Sequence, residues 1–157
     1  MSVKLHIQIE SGTINDAEVV YGLYLISSDN TIVAPVKEYE TQEYPESAAV
    51  EIYPYTTKEP FDYTCKMLIM GDKDTVNESI TAFYDSLFEV TEGVDLRKAK
   101  KITIYNEEKG IQVSGYAKTM TGNDYHTLLT EYEKEAFLFD FVLYIADPRT
   151  LIPWHNE

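Results

Sequence analysis

Cysteine is almost missing from this chain. Cys65 is the only one, which excludes an internal disulfide and a zinc site built from cysteines. Histidine is nearly as scarce: His6, His126 and His155 are all there are, and no two stand at a ligand spacing such as i, i+4. A histidine-based metal centre is therefore not expected. Cations are few as well. Lys and Arg total 13 against 27 Asp and Glu, a formal net charge of −14. Neutralising phosphates needs cations, so specific nucleic-acid binding is disfavoured, and so is adhesion to an anionic membrane. No apolar run approaches the length that crosses a bilayer. The opening residues MSVKLHIQIE alternate from the start and contain no apolar h-region, which predicts a protein made and folded in a cytoplasm.

Catalytic signatures are missing too. There is no G-x-S-x-G, no Walker loop and no G-x-G-x-x-G. Asp72-Lys73-Asp74 opens like a calcium loop. However, Val76 takes the fifth position, Asn77 the required glycine and Phe83 the final glutamate, so the loop lacks its ligands. Cys65 falls in mid-strand on an apolar face, the setting of a buried, inert thiol. Paired acids such as Glu107 and Glu108 are unavoidable in so acidic a chain and do not by themselves mark a glycosidase. Asp140 interrupts an apolar strand, where burial opposes its charge unless a partner offsets it. A structural pair with Arg97, Arg149 or a lysine is the simpler expectation than catalysis. The residues thus point to a non-enzymatic protein with no catalytic, metal or cofactor site.

What is present is a globular composition of 157 residues, 44% hydrophobic and 25% charged, rich in aromatics with 13 Tyr, 6 Phe and 1 Trp. This predicts one domain, 1–157. Half-exposed tyrosines suit strands and interfaces, because the ring offers apolar area while the hydroxyl stays wet.

Alternation of Val3, Leu5, Ile7 and Ile9 with polar residues predicts a strand with one wet face. A turn or loop follows over 11–16. Residues 18–27 read as a strand apolar on both faces, with 31–36 as its hairpin partner. Between 37 and 60 the character changes: four of the six prolines lie at or beside this stretch, mixed with Glu and Tyr. Proline fixes φ and supplies no donor, so this is an acidic, Pro/Tyr-rich excursion with one short strand near 48–53. Residues 61–70 form a strand. Thr75-Val76-Asn77-Glu78 has the spacing of a capping box, and Val76, Ile80, Phe83, Leu87 and Phe88 predict a helix over 76–91 closed by Gly93. Residues 101–105 and 111–118 form a hairpin around Gly110. Residues 123–135 are ambiguous between helix and loop, 136–146 form a strand stopped by Asp147-Pro148, and 149–157 form a C-terminal tail. Strands, a lone helix, then strands again predict a mainly β fold, a sandwich or partly closed antiparallel barrel with one flanking helix.

The order from Phe61 to Pro148 also resembles a known family. A strand (FDYTCKMLIM) precedes a helix ending in FYDSLF, then KITIYN returns as KGIQVSGYAK, and FDFVLYIADP closes the segment. This is similar to the tail-tube and distal-tail proteins of long-tailed bacteriophages and their prophage relatives. The resemblance implies a β-sandwich or barrel subunit flanked by one helix, assembled into a ring around a DNA channel, with itself and other tail proteins as partners and the virion tail as its destination. It brings no catalytic residues. A ring of negative potential lets DNA slide where a basic one would hold it. The alternative reading is a stand-alone β-sandwich module binding carbohydrate or peptide through its tyrosines.

Closing a ring requires two different patches that meet. The two most distinct in sequence are the cations Arg97, Lys98, Lys100 and Lys101 and the acidic stretch from Glu38 to Glu59. Tyr44, Tyr53 and Tyr55 are expected as its apolar anchors. The competing expectation is that these cations solvate the helix end and pair within their own chain.

Overall fold

The computed structural model describes residues 5–46, 48–71, 73–90, 93, 96–127 and 135–154, the side chains of 73–75, 120–127 and 135–136 excepted. In chain order the elements are β1 (Leu5–Ile9), β2 (Ile14–Asp16), α1 (Ala17–Tyr21), β3 (Tyr24–Ser28), β4 (Thr41–Glu43), β5 (Val50–Ile52), β6 (Phe61–Gly71) and α2 (Lys73–Ser86). There follow β7 (Phe88–Val90), β8 (Arg97–Ala99), β9 (Ile102–Asn106), β10 (Ile111–Thr127), β11 (Glu135–Ile145), a 3-10 turn (Pro148–Thr150) and β12 (Ile152–Pro153). The fold is mainly antiparallel β with one main helix, as the hydrophobic pattern predicts.

Strand β10 organises the molecule. Its first part, Ile111 to Gly115, pairs with β9, which continues through β1 to β2. From Tyr116 onward its opposite edge pairs with β11, which continues through β6 to β3. The short β12 occupies that same edge beside Ile111 and Gln112. One long strand thus serves two sheets, the way sandwich corners are made. Leu5, Ile7, Ile102, Ile104, Ile111 and Val113 from the first sheet join Tyr63, Cys65, Met67, Phe139, Phe141, Leu143 and Ile145 from the second in one hydrophobic cluster. Alternation along β6 and β11 sends those residues inward, while Asp62, Thr64, Lys66, Asp140 and Tyr144 look the other way. The buried Asn106 ties the sheets together: its Nδ2 donates to Ser28 Oγ at 2.8 Å and Tyr63 OH at 3.2 Å.

Helix α2 covers β6 and β11 with the stripe expected of it. Phe83 is buried between Tyr21 and Phe141, ring centroids 4.9 and 5.8 Å away. Leu87 is fully buried just past the last turn. The helix starts and stops earlier than its apolar stripe implies. It begins at Lys73, so Thr75 lies inside it and does not cap it. It ends at Ser86, whose Oγ donates to Phe83 O at 2.6 Å. Phe88 to Val90 then leave as a strand pairing with Arg97 to Ala99, so Gly93 (φ 78°) sits in the connection between strands and is not a helix cap.

Other expectations are corrected. Residues 18–27 divide into α1 and β3, because Asp16 accepts from the Glu18 and Val19 amides and Gly22 (φ 69°) ends the helix. Residues 14–16 form a strand where a loop is predicted. Residues 31–36 do not return as a hairpin; β3 pairs with β6, and Asp29 turns back onto Thr64 through bonds of 3.0 Å in both directions. Residues 123–127 extend β10, while 128–134 lie outside the described residues. Arg97 and Lys98 belong to a strand, from which Arg97 reaches back to Asp85 in the last turn of α2. Asp140 is half-buried on the wetter face of β11 and in register with Lys66, while Arg97 and Arg149 pair with Asp85 and Asp147, so of the expected partners the lysine is the one placed opposite it.

Candidate interaction surfaces

The excursion over 37–60 is an arm. Val36 and Lys58 form its base as an isolated bridge, with Lys37 N donating to Thr57 O at 2.9 Å and Glu59 N to Pro35 O at 2.8 Å. Farther out Tyr53 N donates to Glu40 O at 2.8 Å, and β4 pairs with β5. The prolines explain the pattern. Pro45 falls beyond β4 and Pro54 beyond β5, so neither removes a donor from the ladder. The arm holds the short strand expected near 48–53 and a second, β4, that its polar sequence TQE did not announce.

Nothing along this ladder is covered by its own chain: every residue of β4 and β5 is exposed. Tyr53 and Tyr55 stand on one side, rings 5.1 Å apart, exposed by 58% and 74%. Tyr44 is exposed too, and its hydroxyl donates to Glu51 Oε2 at 3.4 Å. Glu38, Glu40, Glu43, Glu46 and Glu51 are all on the surface around them.

The cation cluster begins on a second two-stranded ladder, β7–β8, and runs on past its end. Arg97 Nη1 donates to Asp85 Oδ1 at 3.0 Å, so for this one residue pairing within the chain holds. Lys98 is exposed and opposite Glu89 in the ladder. Lys100 is half-buried, its amide bonded to Leu87 O at 3.0 Å. Lys101 is exposed, its backbone joined to Glu10 by bonds of 2.7 and 3.2 Å. Beside these cations lie two exposed aliphatic residues that the sequence reading passed over, Val90 and Leu96, at 60% and 63%. Only the abrupt end of α2 makes them visible, since a helix through residue 91 would place Val90 in its last turn. Within the chain the arm and the cationic ladder form separate two-stranded sheets.

Titratable groups inside the sandwich are held neutral. Burial pushes the Tyr63 hydroxyl up to about 12, with Cys65 adding to the effect and bonds from Ser28 and Asn106 opposing it. Burial, and then the charge of Asp29, pushes the Cys65 thiol far up, which makes it a poor nucleophile. At the surface Arg149 holds the Asp147 carboxyl below its usual range by bonds of 2.9 and 3.0 Å, and Asp147 caps the 3-10 turn that leads into the tail. His6 Nε2 lies 3.3 Å from Glu107 and its ring meets Trp154 edge-on. The side chain of His126 and all of His155 lie outside the described residues. Among the described residues no group of three His, Cys, Asp or Glu is placed to hold a metal ion.

No protein-family model matches the chain, and comparison with curated proteins gives no match. Among solved structures, it is similar to SPP1 Dit, described as a paradigm of the hub adsorption apparatus in phages that infect Gram-positive bacteria, with a TM-score of 0.58. The fold is similar to that of a phage hub protein. The superposition covers 92% of this chain and 50% of SPP1 Dit at 12% identity, so the chain spans about half the length of that protein. At that identity the likeness is one of fold. It extends well beyond residues 61–148, the segment on which the sequence resemblance rests.

Proposed function

We propose that this chain is a non-enzymatic structural component of a phage or prophage tail, which closes with copies of itself into a ring and joins other tail proteins. The observation that carries this reading is the likeness of fold to SPP1 Dit over nearly the whole chain. Two exposed ladders of different character support it, an acidic arm bearing tyrosines and a mixed-charge β7–β8 ladder flanked by cations, because a ring needs two different patches on each subunit. Tyr44, Tyr53 and Tyr55 on the arm and Arg97, Lys98, Lys100 and Lys101 beside β7–β8 are the interface residues of this reading. With a net charge of −14, such a ring lets DNA pass without binding it specifically. The protein is then made in the bacterial cytoplasm and carried into the virion, with no membrane partner.

The test is the assembled state. Purified protein imaged and weighed over a range of concentrations and salt is expected to form closed rings, and more of them as salt screens the repulsion between subunits. A monomer under every condition removes the ring. A second reading, a module binding carbohydrate or peptide, draws on the groove of about 320 Å³ where Tyr53 and Tyr55 lie near Glu38 and Glu40. It predicts a monomer that binds a glycan or peptide and loses that binding on Tyr55→Ala.

A further inference from the structure

We infer that the arm of one copy seats on the β7–β8 ladder of the next copy, its apolar side chains against Val90 and Leu96 and its carboxylates against Lys98 and Lys101. The inference rests on the ring reading above and names the surfaces that close it.

The arm is incomplete by itself. A two-stranded ladder is marginal in water unless something packs on it, and this one leaves Val50, Ile52, Tyr53 and Tyr55 exposed by about half or more. Scattered exposed aliphatics are ordinary, but here Val50 and Ile52 share one face of the ladder and Tyr53 with Tyr55 takes the other, so each face presents exposed apolar groups. The β7–β8 ladder is its chemical complement. It too is two-stranded and carries exposed aliphatics, with the exposed cations Lys98 and Lys101 beside them and Glu89 opposite Lys98, whereas every charge on the arm from Glu38 to Glu51 is a carboxylate.

Charge also excludes the symmetric alternative. Two arms meeting face to face would bring Glu40, Glu43 and Glu51 against their own copies, and like charges across an interface are strongly unfavourable. Arm against β7–β8 is heterologous, the geometry that propagates from copy to copy until it closes. Arg97 is already engaged by Asp85, so Lys98 and Lys101 set the register, the arm's carboxylates competing there with Glu89 and Glu10 of the same chain.

The test uses the full chain and two charge reversals at exposed positions: Lys98→Glu with Lys101→Glu, and Glu40→Lys with Glu43→Lys. At matched ionic strength, sedimentation should show each variant alone assembling about tenfold or more weakly than wild type. An equimolar mixture should recover assembly, because each arm then meets a ladder of opposite charge. Mixing Val50→Cys with Leu96→Cys protein should also give a mixed disulfide dimer, with the buried Cys65 inert. If wild type assembles while both reversed variants assemble equally well, or while the mixed disulfide is missing, the pairing is overturned and the ring stands. If wild type stays monomeric and no mixed disulfide forms, ring and pairing fall together.

Discussion

The backbone of Gly115 passes directly against the carbonyl of Tyr144: a Cβ at residue 115 would lie 2.5 Å from Tyr144 O and 2.7 Å from Ile145 Cδ1. This is the place where β10 leaves β9 and takes up β11, with Gly115 opposite Ile102 and Tyr116 opposite Tyr144. The obstacle is backbone, which cannot swing aside as a side chain can. Gly115→Ala is therefore expected to lower unfolding free energy by about 1–3 kcal/mol through overpacking, read from a shifted denaturation midpoint. A change within experimental scatter would show that the corner relaxes freely.

Phe83 is the second structural test. Its ring fills the space between Tyr21 on α1 and Phe141 on β11, so it fastens both helices to the second sheet. Phe83→Ala should cost about 3–5 kcal/mol in transfer energy and cavity formation. A measured loss below about 1 kcal/mol would place the ring outside the core.

The neutral interior makes the protein sensitive to alkali. Tyr63, ordinarily near 10.0, is pushed up to about 12 in the fold. The folded state therefore keeps its proton where the unfolded chain gives it up. Its contribution is complete below pH 10 and is lost as pH rises from 10 through 12, a fall of about 2–3 kcal/mol. Cys65 is shifted in the same direction and begins to act from its lower ordinary value of 9.0. Denaturant midpoints taken from pH 8 to 11 should fall steadily above about pH 9, and Tyr63→Phe should flatten the slope. A midpoint independent of pH across that range would show that these groups ionise as readily in the fold as outside it.

What could be read from the sequence depended on how far apart the competing periodicities lie. The alternation in β1 and in the first half of β6 is unambiguous because His6 and Gln8, and then Asp62, Thr64 and Lys66, make the opposite face polar, and Tyr63, Cys65, Met67 and Ile69 turn inward. The run EVVYGLYLIS is apolar on both faces, where period 2 and period 3.6 cannot be separated, and the decisive signal was the Asp16 cap with Gly22. Helix α2 was placed by its stripe but overextended, since Leu87 and Phe88 continue the helical spacing after the backbone has left it. The exposed tyrosines of the arm and the cations at 97–101 were legible as composition. Val90 and Leu96 were not, because their exposure depends on a tertiary event, the pairing of β7 with β8.

Asp140 is expected to be structurally modest and chemically silent. It faces Lys66 across β11 and β6 on the half-exposed side, and opposite charges in such cross-strand pairs contribute about 0.2–1 kcal/mol. Asp140→Asn should therefore lower stability by no more than about 1 kcal/mol and leave assembly intact. A stably folded Asp140→Asn protein that lost turnover of some substrate would overturn the non-enzymatic reading.

The arm separates folding from assembly more cleanly than any point substitution. Its two ends already meet at Val36 and Lys58 and are held by the bonds Lys37–Thr57 and Glu59–Pro35. Beyond that base, β4 and β5 pair only with each other. Replacing residues 39–56 by an Asn-Gly turn, which suits a two-residue hairpin, should leave the sandwich with its core cluster and its corner at Gly115 untouched. The shortened protein is expected to unfold within a few degrees of wild type, since about 1 kcal/mol shifts a domain of this size by only about 2–4 °C. It should also remain monomeric at concentrations where the full chain assembles. If the shortened protein forms the same assembly as wild type, the subunit contact lies elsewhere, with the exposed Val19, Val20 and Ile26 of α1 and β3 the next surface to alter. If it unfolds far below wild type, the arm is part of the folding core, and its exposure in the monomer would need another explanation.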